Sequence, residues 1–246
     1  MAADDPSFLE RCLKALHFVD EINVLLDARH GDACVPVARA HAHHVESHPY
    51  EGDLDQRRRS IAMASHDWVL VADPDEIVSD ALATEIARAI AQAPDDLYGF
   101  ELDRVTWHLG RWIEHGEFHP DWKLRVVRKA HARVAGLDPH GRIEVDGRVE
   151  RLRGRFEHYS YRDLADQVRR MLFFSGEAAR AMHAEGRRAR FSHLVLRPPA
   201  RFLRGYLLKQ GFRDGWPGFM VAVITSFYVF LKYARLWELE LTSRRR

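Results

Sequence analysis

Trp68-Val69-Leu70-Val71-Ala72-Asp73-Pro74-Asp75-Glu76 is an apolar run that stops abruptly in three carboxylates. Its β-branched and aromatic residues predict a short buried strand, and Asp-Pro-Asp predicts that the strand breaks at its carboxyl end. Open α/β sheets take ligands just outside such strand ends. Hard carboxylate oxygens suit Mg²⁺ or Mn²⁺, which in turn hold phosphates. Asp73 and Asp75 are therefore candidate ligands of a cation-bound diphosphate. On the tripeptide alone, ordinary turn chemistry before a helix is the simpler reading. The residues downstream change that balance: Ser79 can cap a helix over 80–92 with Leu82, Ile86 and Ile90 on one stripe, which puts the carboxylates at a strand-to-helix crossover.

Upstream, Phe8, Leu9, Leu13 and Leu16 fall at helical spacing, and 22–27 reads as a short buried strand ending in Asp27. A helix over 35–42, a strand over 44–46, a helix over 54–64 and the acidic-edged strand over 67–72 follow. That alternation predicts a parallel sheet. Downstream, 99–105 and 123–127 alternate as antiparallel strands do, with a loop over 107–122 between them. After His158 the pattern is helical over 163–185, breaks at Gly186 and resumes after Pro198-Pro199. The expected organisation is an α/β domain over 1–155 with a mixed sheet flanked by helices, and a helical region over 156–246.

With 246 residues, 46% of them hydrophobic, the chain can bury a substantial core. The net charge of +1 conceals an Arg-rich C-terminal third and acids clustered in the first half. Cys12 and Cys34 lack metal-ligand spacing, and no signal peptide is evident at the start, so a reducing cytoplasm is expected and a disulfide framework is not. His41, His43 and His44 read as part of a solvated polar segment rather than a metal site. The most apolar run, 218–231, is short of the roughly 20 residues that span a bilayer.

The aspartate-rich stretch 73–76, preceded by Asp67-Trp68-Val69-Leu70-Val71-Ala72, resembles that of family 2 glycosyltransferases, especially the branch containing lipopolysaccharide-core glucosyltransferases. Further stretches agree in order. Arg11-Cys12-Leu13, Val19-Asp20-Glu21-Ile22, Asp27 with Asp32, and Gln56-Arg57-Arg58 are similar to the sugar-nucleotide half of that family. Trp112-Ile113-Glu114-His115-Gly116, Pro120-Asp121-Trp122-Lys123-Leu124-Arg125 and Gly211-Phe212-Arg213-Asp214-Gly215 are similar to its later signatures.

The resemblance implies a GT-A (Rossmann-like) fold, a UDP- or other nucleotide-sugar donor, Mg²⁺ or Mn²⁺, and inversion at the anomeric carbon. It implies that Asp75 holds the metal, with Asp73 near the ribose or a metal-bound water. Asp27, Asp32 and Arg57 would bind the nucleotide, and Asp73, Asp75, Glu76, Arg125 and His140 would make up the catalytic set. For Arg125 a phosphate clamp and a surface strand position weigh evenly. Two departures stand out. Members ordinarily begin with a strand ending in Asn-Glu, whereas this sequence starts near the first helix, so an N-terminally shortened domain is expected. The usual His-Glu is His140-Gly141 here, which leaves Asp138, Glu144 or Glu117 as candidates for taking the acceptor's proton.

In the C-terminal third, cations at Arg197, Arg201, Arg204 and Lys209 interleave with Phe202, Leu203, Tyr206, Leu207 and Leu208 before the apolar run. This texture suits an interfacial helix pair at anionic headgroups, and equally a packed helical subdomain or a dimer seam. No nucleic-acid reader motif is present. The expected protein is peripheral on the cytoplasmic face of the inner membrane, with a nucleotide sugar and a lipid-linked or lipopolysaccharide acceptor as partners. Its rivals are a non-catalytic relative serving as a binding or assembly partner, and a metal-dependent nucleotidyltransferase or phosphohydrolase.

Overall fold

The computed structural model describes residues 5–29, 32–136 and 141–243. The chain divides into two compact units, Met1–Arg104 with Asp121–His158, and Val105–Pro120 with Tyr159–Arg246.

The first unit begins with α1 (Pro6–Ala15), capped by Asp5, whose side chain accepts from the Ser7 amide; the helix buries Leu9, Cys12 and Leu13. β1 (Asn23–Asp27) and β2 (His44–His48), joined through α2 (Val35–His41), pair in parallel from Asn23↔His44 to Asp27↔His48. There follow α3 (Asp53–Met63), β3 (Trp68–Leu70), β4 (Glu76–Val78) and α4 (Asp80–Ala91). The Ser79 hydroxyl accepts from the Leu82 amide at 3.3 Å, the cap expected at this position.

β5 (Leu97–His108) runs out of this unit into β6 (Arg111–Ile113), and the chain returns through β7 (Trp122–Arg128), β8 (Ala132–Ala135), β9 (Arg142–Val145) and β10 (Arg148–His158). The main sheet has the order β3-β7-β5-β10-β4. Its pairs β3–β7, β5–β7 and β4–β10 are antiparallel. The parallel sheet expected of the first half is thus confined to β1–β2, and β3 joins its neighbour in the opposite sense. Periodicity identifies a strand and its buried face but carries no information about which partner its edge will meet.

The sheet buries a different apolar set on each side. Phe100, Leu102, Val126 and Phe156 cluster with Leu82, Ala83 and Ile86 of α4, and Val69, Val71 and Val127 cluster with Ile61 and Ile143. Each fully buried Leu, Ile or Phe contributes roughly 1.5–3 kcal/mol. β10 approaches α4 closely at Gly154, where a Cβ would lie 2.7 Å from both Cα and Cβ of Leu82.

In the second unit the stretch expected as a loop contains a hairpin. β5 continues to His108, and β6 pairs back on it through Thr106↔Ile113 and His108↔Arg111. Leu109 and Gly110 make the turn at φ 49° and 83°. Two positive φ values are what a two-residue hairpin turn requires, and a leucine at the first is an atypical choice that local sequence rules do not flag.

α5 (Leu164–Ala184) is capped by Asp163 and ends before Gly186 at φ 71°. α6 (Phe191–Val195) and α7 (Arg197–Leu203) follow. The expectation that helix resumes after Pro198-Pro199 is corrected: both prolines lie in the first turn of α7, where a missing N–H costs no helical bond. α8 (Gly215–Ser243) spans 29 residues, and with the preceding 3-10 turn the helical run Gly211–Ser243 has a window of mean hydropathy 1.5 that is 28% buried. By length and composition it is long enough to cross a membrane. The apolar run 218–231 ends at the first charge, Lys232, whereas the helix continues beyond it. Ala179 and Met182 of α5 pack with Tyr233 and Leu236 of α8.

Candidate active site

The turn after β3 is tied into the sheet. The Val71 amide donates to the Arg125 carbonyl at 2.8 Å, and the chain then leaves the ladder. The Glu76 amide donates to the Asp73 carbonyl, and the Asp73 amide donates to Glu76 Oε2, both at 2.9 Å. These reciprocal bonds close the Asp73-Pro74-Asp75 turn and fix the Glu76 carboxylate against it. Glu76, fully buried, opens β4 opposite His158 of β10.

Arg125 is neither at a strand end nor on the surface. It lies buried inside β7, and its Nη2 donates to Asp73 Oδ2 at 2.7 Å and to Glu76 Oε1 at 2.6 Å. The surface reading is overturned: Arg125 is a charge partner beneath the turn. Arg104 Nη1 adds a bond to Glu76 Oε1 at 2.9 Å, Arg104 Nε bonds Asp121 Oδ2 at 2.8 Å, and Lys123 lies 2.9 Å from Asp121 Oδ1. On the other side of the turn, Arg57 Nη2 lies 3.6 Å from Asp73 Oδ1.

The Asp73 side chain is 40% exposed, so this network has an open mouth. Burial pushes the Asp73 carboxyl up, but the charges of Arg125 and Arg57 outweigh it and hold the group well below the usual carboxylate range. Burial likewise opposes ionisation of Asp121, and Arg104 and Lys123 keep it low. The Arg125 guanidinium is disfavoured by burial and held charged by Asp73 and Glu76. The buried Nε atoms of Arg57 and Arg125 donate to no acceptor, so donor capacity remains at the site.

Asp75 is buried, and its Oδ2 lies 3.6 Å from His158 Nε2. A carboxylate oxygen and an imidazole nitrogen so placed are two donors that fit a divalent cation. Asp73 is placed differently, with both oxygens facing arginines. Among the described residues, no three His, Cys, Asp or Glu side chains converge as metal ligands.

The remaining expected residues fall in several places. Asp27 ends β1 and accepts from the amides of Arg29 at 3.0 Å and Tyr50 at 3.3 Å, while Asp32 is exposed in the short turn before α2. His140 and Asp138 lie outside the described residues. Gly141 packs against α3, where a Cβ would come 2.6 Å from Leu54 Cδ2. Glu144 is bonded to Arg133 and Arg142. In the second unit, Glu117 is 3% exposed and pinned by Arg201 at 2.9 Å, Arg204 at 3.2 Å and Lys209 at 3.7 Å, which suits an anchor rather than a proton acceptor. His158 and Arg104 were missed as site residues; the signal available was their placement in the alternating strands that flank the turn.

No protein-family profile matches the chain. It is 26% identical to an uncharacterized glycosyltransferase of Rickettsia typhi over 96% of this chain and 84% of that protein. It is 24% identical to the lipopolysaccharide core biosynthesis glycosyltransferase LpsC of Rhizobium meliloti, over 96% and 89%. These relatives are glycosyltransferases. The resemblance carried by short motifs in the glycosyltransferase-like sequence thus extends along nearly its full length. Among solved structures, S. aureus TarS 1-349 aligns with 97% of this chain and 88% of its own at 15% identity and a TM-score of 0.46.

Proposed function

We propose that the chain is an inverting, metal-dependent glycosyltransferase of family 2 type, moving a sugar from a nucleotide-sugar donor to a lipid-linked, lipopolysaccharide or other cell-envelope glycan acceptor. The observation that carries this reading is the acid turn 73–76, held from below by Arg125 and Arg104 and open beside Arg57. Departure of a nucleoside diphosphate builds negative charge on phosphate oxygens, and pre-placed cations stabilise that charge without reorganising. Asp75 and His158 would hold a Mg²⁺ or Mn²⁺ ion, which when bound supplies Lewis-acid neutralisation of the leaving diphosphate. Arg57, whose buried Nε has no acceptor, would meet phosphate oxygens, and Asp27 would accept hydrogen bonds from the base or ribose. Arg125 acts through others: it fixes the orientation of Asp73 and balances Glu76.

The test is calorimetric titration of UDP, GDP and ADP with and without Mn²⁺. Mn²⁺ should tighten binding of one nucleotide by at least about tenfold, and Asp75→Asn should remove that increment, since losing one charged ligand costs on the order of 1.4 kcal/mol or more. His158→Gln should behave likewise. Should Mn²⁺ leave the affinity of the intact protein unchanged for all three nucleotides, the catalytic reading fails and a non-catalytic relative takes its place.

We propose further that the protein works at the cytoplasmic face of the inner membrane. In support, Trp216, Val223, Phe227 and Phe230 form an exposed apolar stripe at helical spacing on α8. Leu203, Leu207 and Leu208 are exposed just before it, beside interleaved arginines. That pattern suits an interface between headgroups and acyl chains.

A further inference from the structure

A cavity of about 280 Å³ opens in the second unit between α7 and α8, near the lower end of the range usual for ligand pockets, roughly 300–1,000 Å³. Arg197, Arg201, Arg204 and Lys232 line it, with Tyr233 and Val229 between them. Of these four cations, Arg201 and Arg204 contact a carboxylate, that of Glu117. Arg197 donates instead to the Tyr233 hydroxyl and lies over its ring. Lys232 sits 5.5 Å from the ring centre of Tyr228 and 5.3 Å from that of Tyr233, and makes no ion pair among the described residues.

Cations that merely decorate a surface stay solvated and point apart. Here the Nε of Arg201 is buried without a hydrogen-bond partner. Burial, followed by the charges of Arg187, Arg197 and Arg201, pulls the Lys232 amine below its ordinary value. A half-buried ammonium among guanidinium groups is held there against electrostatic cost, and a bound anion would offset that cost. Planar guanidinium forks and a compact ammonium together match the tetrahedral oxygens of phosphate, with the forks giving direction and the ammonium a point charge.

We propose that this cavity is a binding site for a phosphate-type dianion, carried on a lipid headgroup or free in solution as inorganic phosphate. It is separate from the acid turn of the first unit and does not depend on the glycosyltransferase reading.

Two probes distinguish the sources. Inorganic phosphate is titrated calorimetrically, and phosphatidylcholine vesicles doped to equal charge with either phosphatidic acid, a monoester, or phosphatidylglycerol, a diester, are tested by flotation. If the lipid-borne group is the ligand, phosphatidic acid vesicles bind about tenfold better than phosphatidylglycerol vesicles; if the free ion suffices, inorganic phosphate binds and competes. Lys232→Met keeps side-chain volume and removes the charge, and Arg197→Gln alters an exposed residue, so both spare Glu117. Each should weaken the positive signal by about tenfold, the effect of losing one charge-assisted hydrogen bond. Indifference between the two lipids together with no binding of inorganic phosphate overturns the proposal. Unaltered binding in Arg197→Gln and in folded Lys232→Met overturns it as well.

Discussion

Arg125 serves Asp73 and Glu76 with one guanidinium nitrogen, and this sharing sets what its loss would do. Removing it strands the fully buried Glu76 with Arg104 alone, so Arg125→Met should destabilise the first unit by about 3–5 kcal/mol, as breaking a buried ion pair from one side does. Urea unfolding measures it. The sign of the pH dependence follows from Asp73 and Asp121, whose carboxyls are held low in the folded protein. The unfolded chain takes up those protons first as pH falls. The stability they contribute is therefore present above the ordinary carboxylate pKa of about 3.9 and is lost below it. Asp73→Asn should flatten the acid limb of a stability curve measured from neutral pH to about pH 2. An acid limb as steep as that of the unaltered protein would show that Asp73 is not the group being protonated.

At the scale of elements, close backbone approach matters more than propensity. Gly154 lets β10 lie against the first turn of α4, and the Glu85 carboxylate accepts there from the amides of Arg153 and Gly154. Gly154→Ala must push the Leu82 backbone away and should cost about 1–3 kcal/mol, read as a lowered urea midpoint at unchanged slope. If the midpoint does not move, α4 is not pressed against the strand. The same reasoning explains why α4 was legible and the hairpin was not. Ser79 and the Leu82, Ile86 stripe announce a capped amphipathic helix from local residues, whereas Leu109 at positive φ is an ordinary residue in an unusual conformation that the paired strands impose.

For the whole molecule, the proposed membrane contact combines an apolar stripe with arginines, and the two parts separate by salt. Surface cations contribute on the order of 1 kcal/mol each near anionic lipid and are screened within a Debye length of roughly 8 Å. Flotation with phosphatidylglycerol vesicles should fall when salt rises and persist in part through Trp216, Phe227 and Phe230. Replacing those three with Ser should abolish the salt-resistant fraction while circular dichroism stays unchanged. A salt-resistant fraction that survives the triple change would locate the apolar contact elsewhere or make α8 a spanning helix.

Apolar periodicity, caps and acid-ended runs were enough to place α1, α4, α5 and the strands β3, β5 and β7, because each rests on residues adjacent in the chain. The ordered motifs likewise point to glycosyltransferases. Which groups meet across the fold was decided only by tertiary structure. Arg125 beneath Asp73, His158 beside Asp75 and Arg104 against Glu76 join positions 28 to 83 residues apart through strand pairing. The continuation of α8 past Lys232 and the grouping of 105–120 with the C-terminal helices are of the same kind. Partner choice between strands and the burial of a charge depend on the summed packing of distant segments, and no local window of sequence contains that sum.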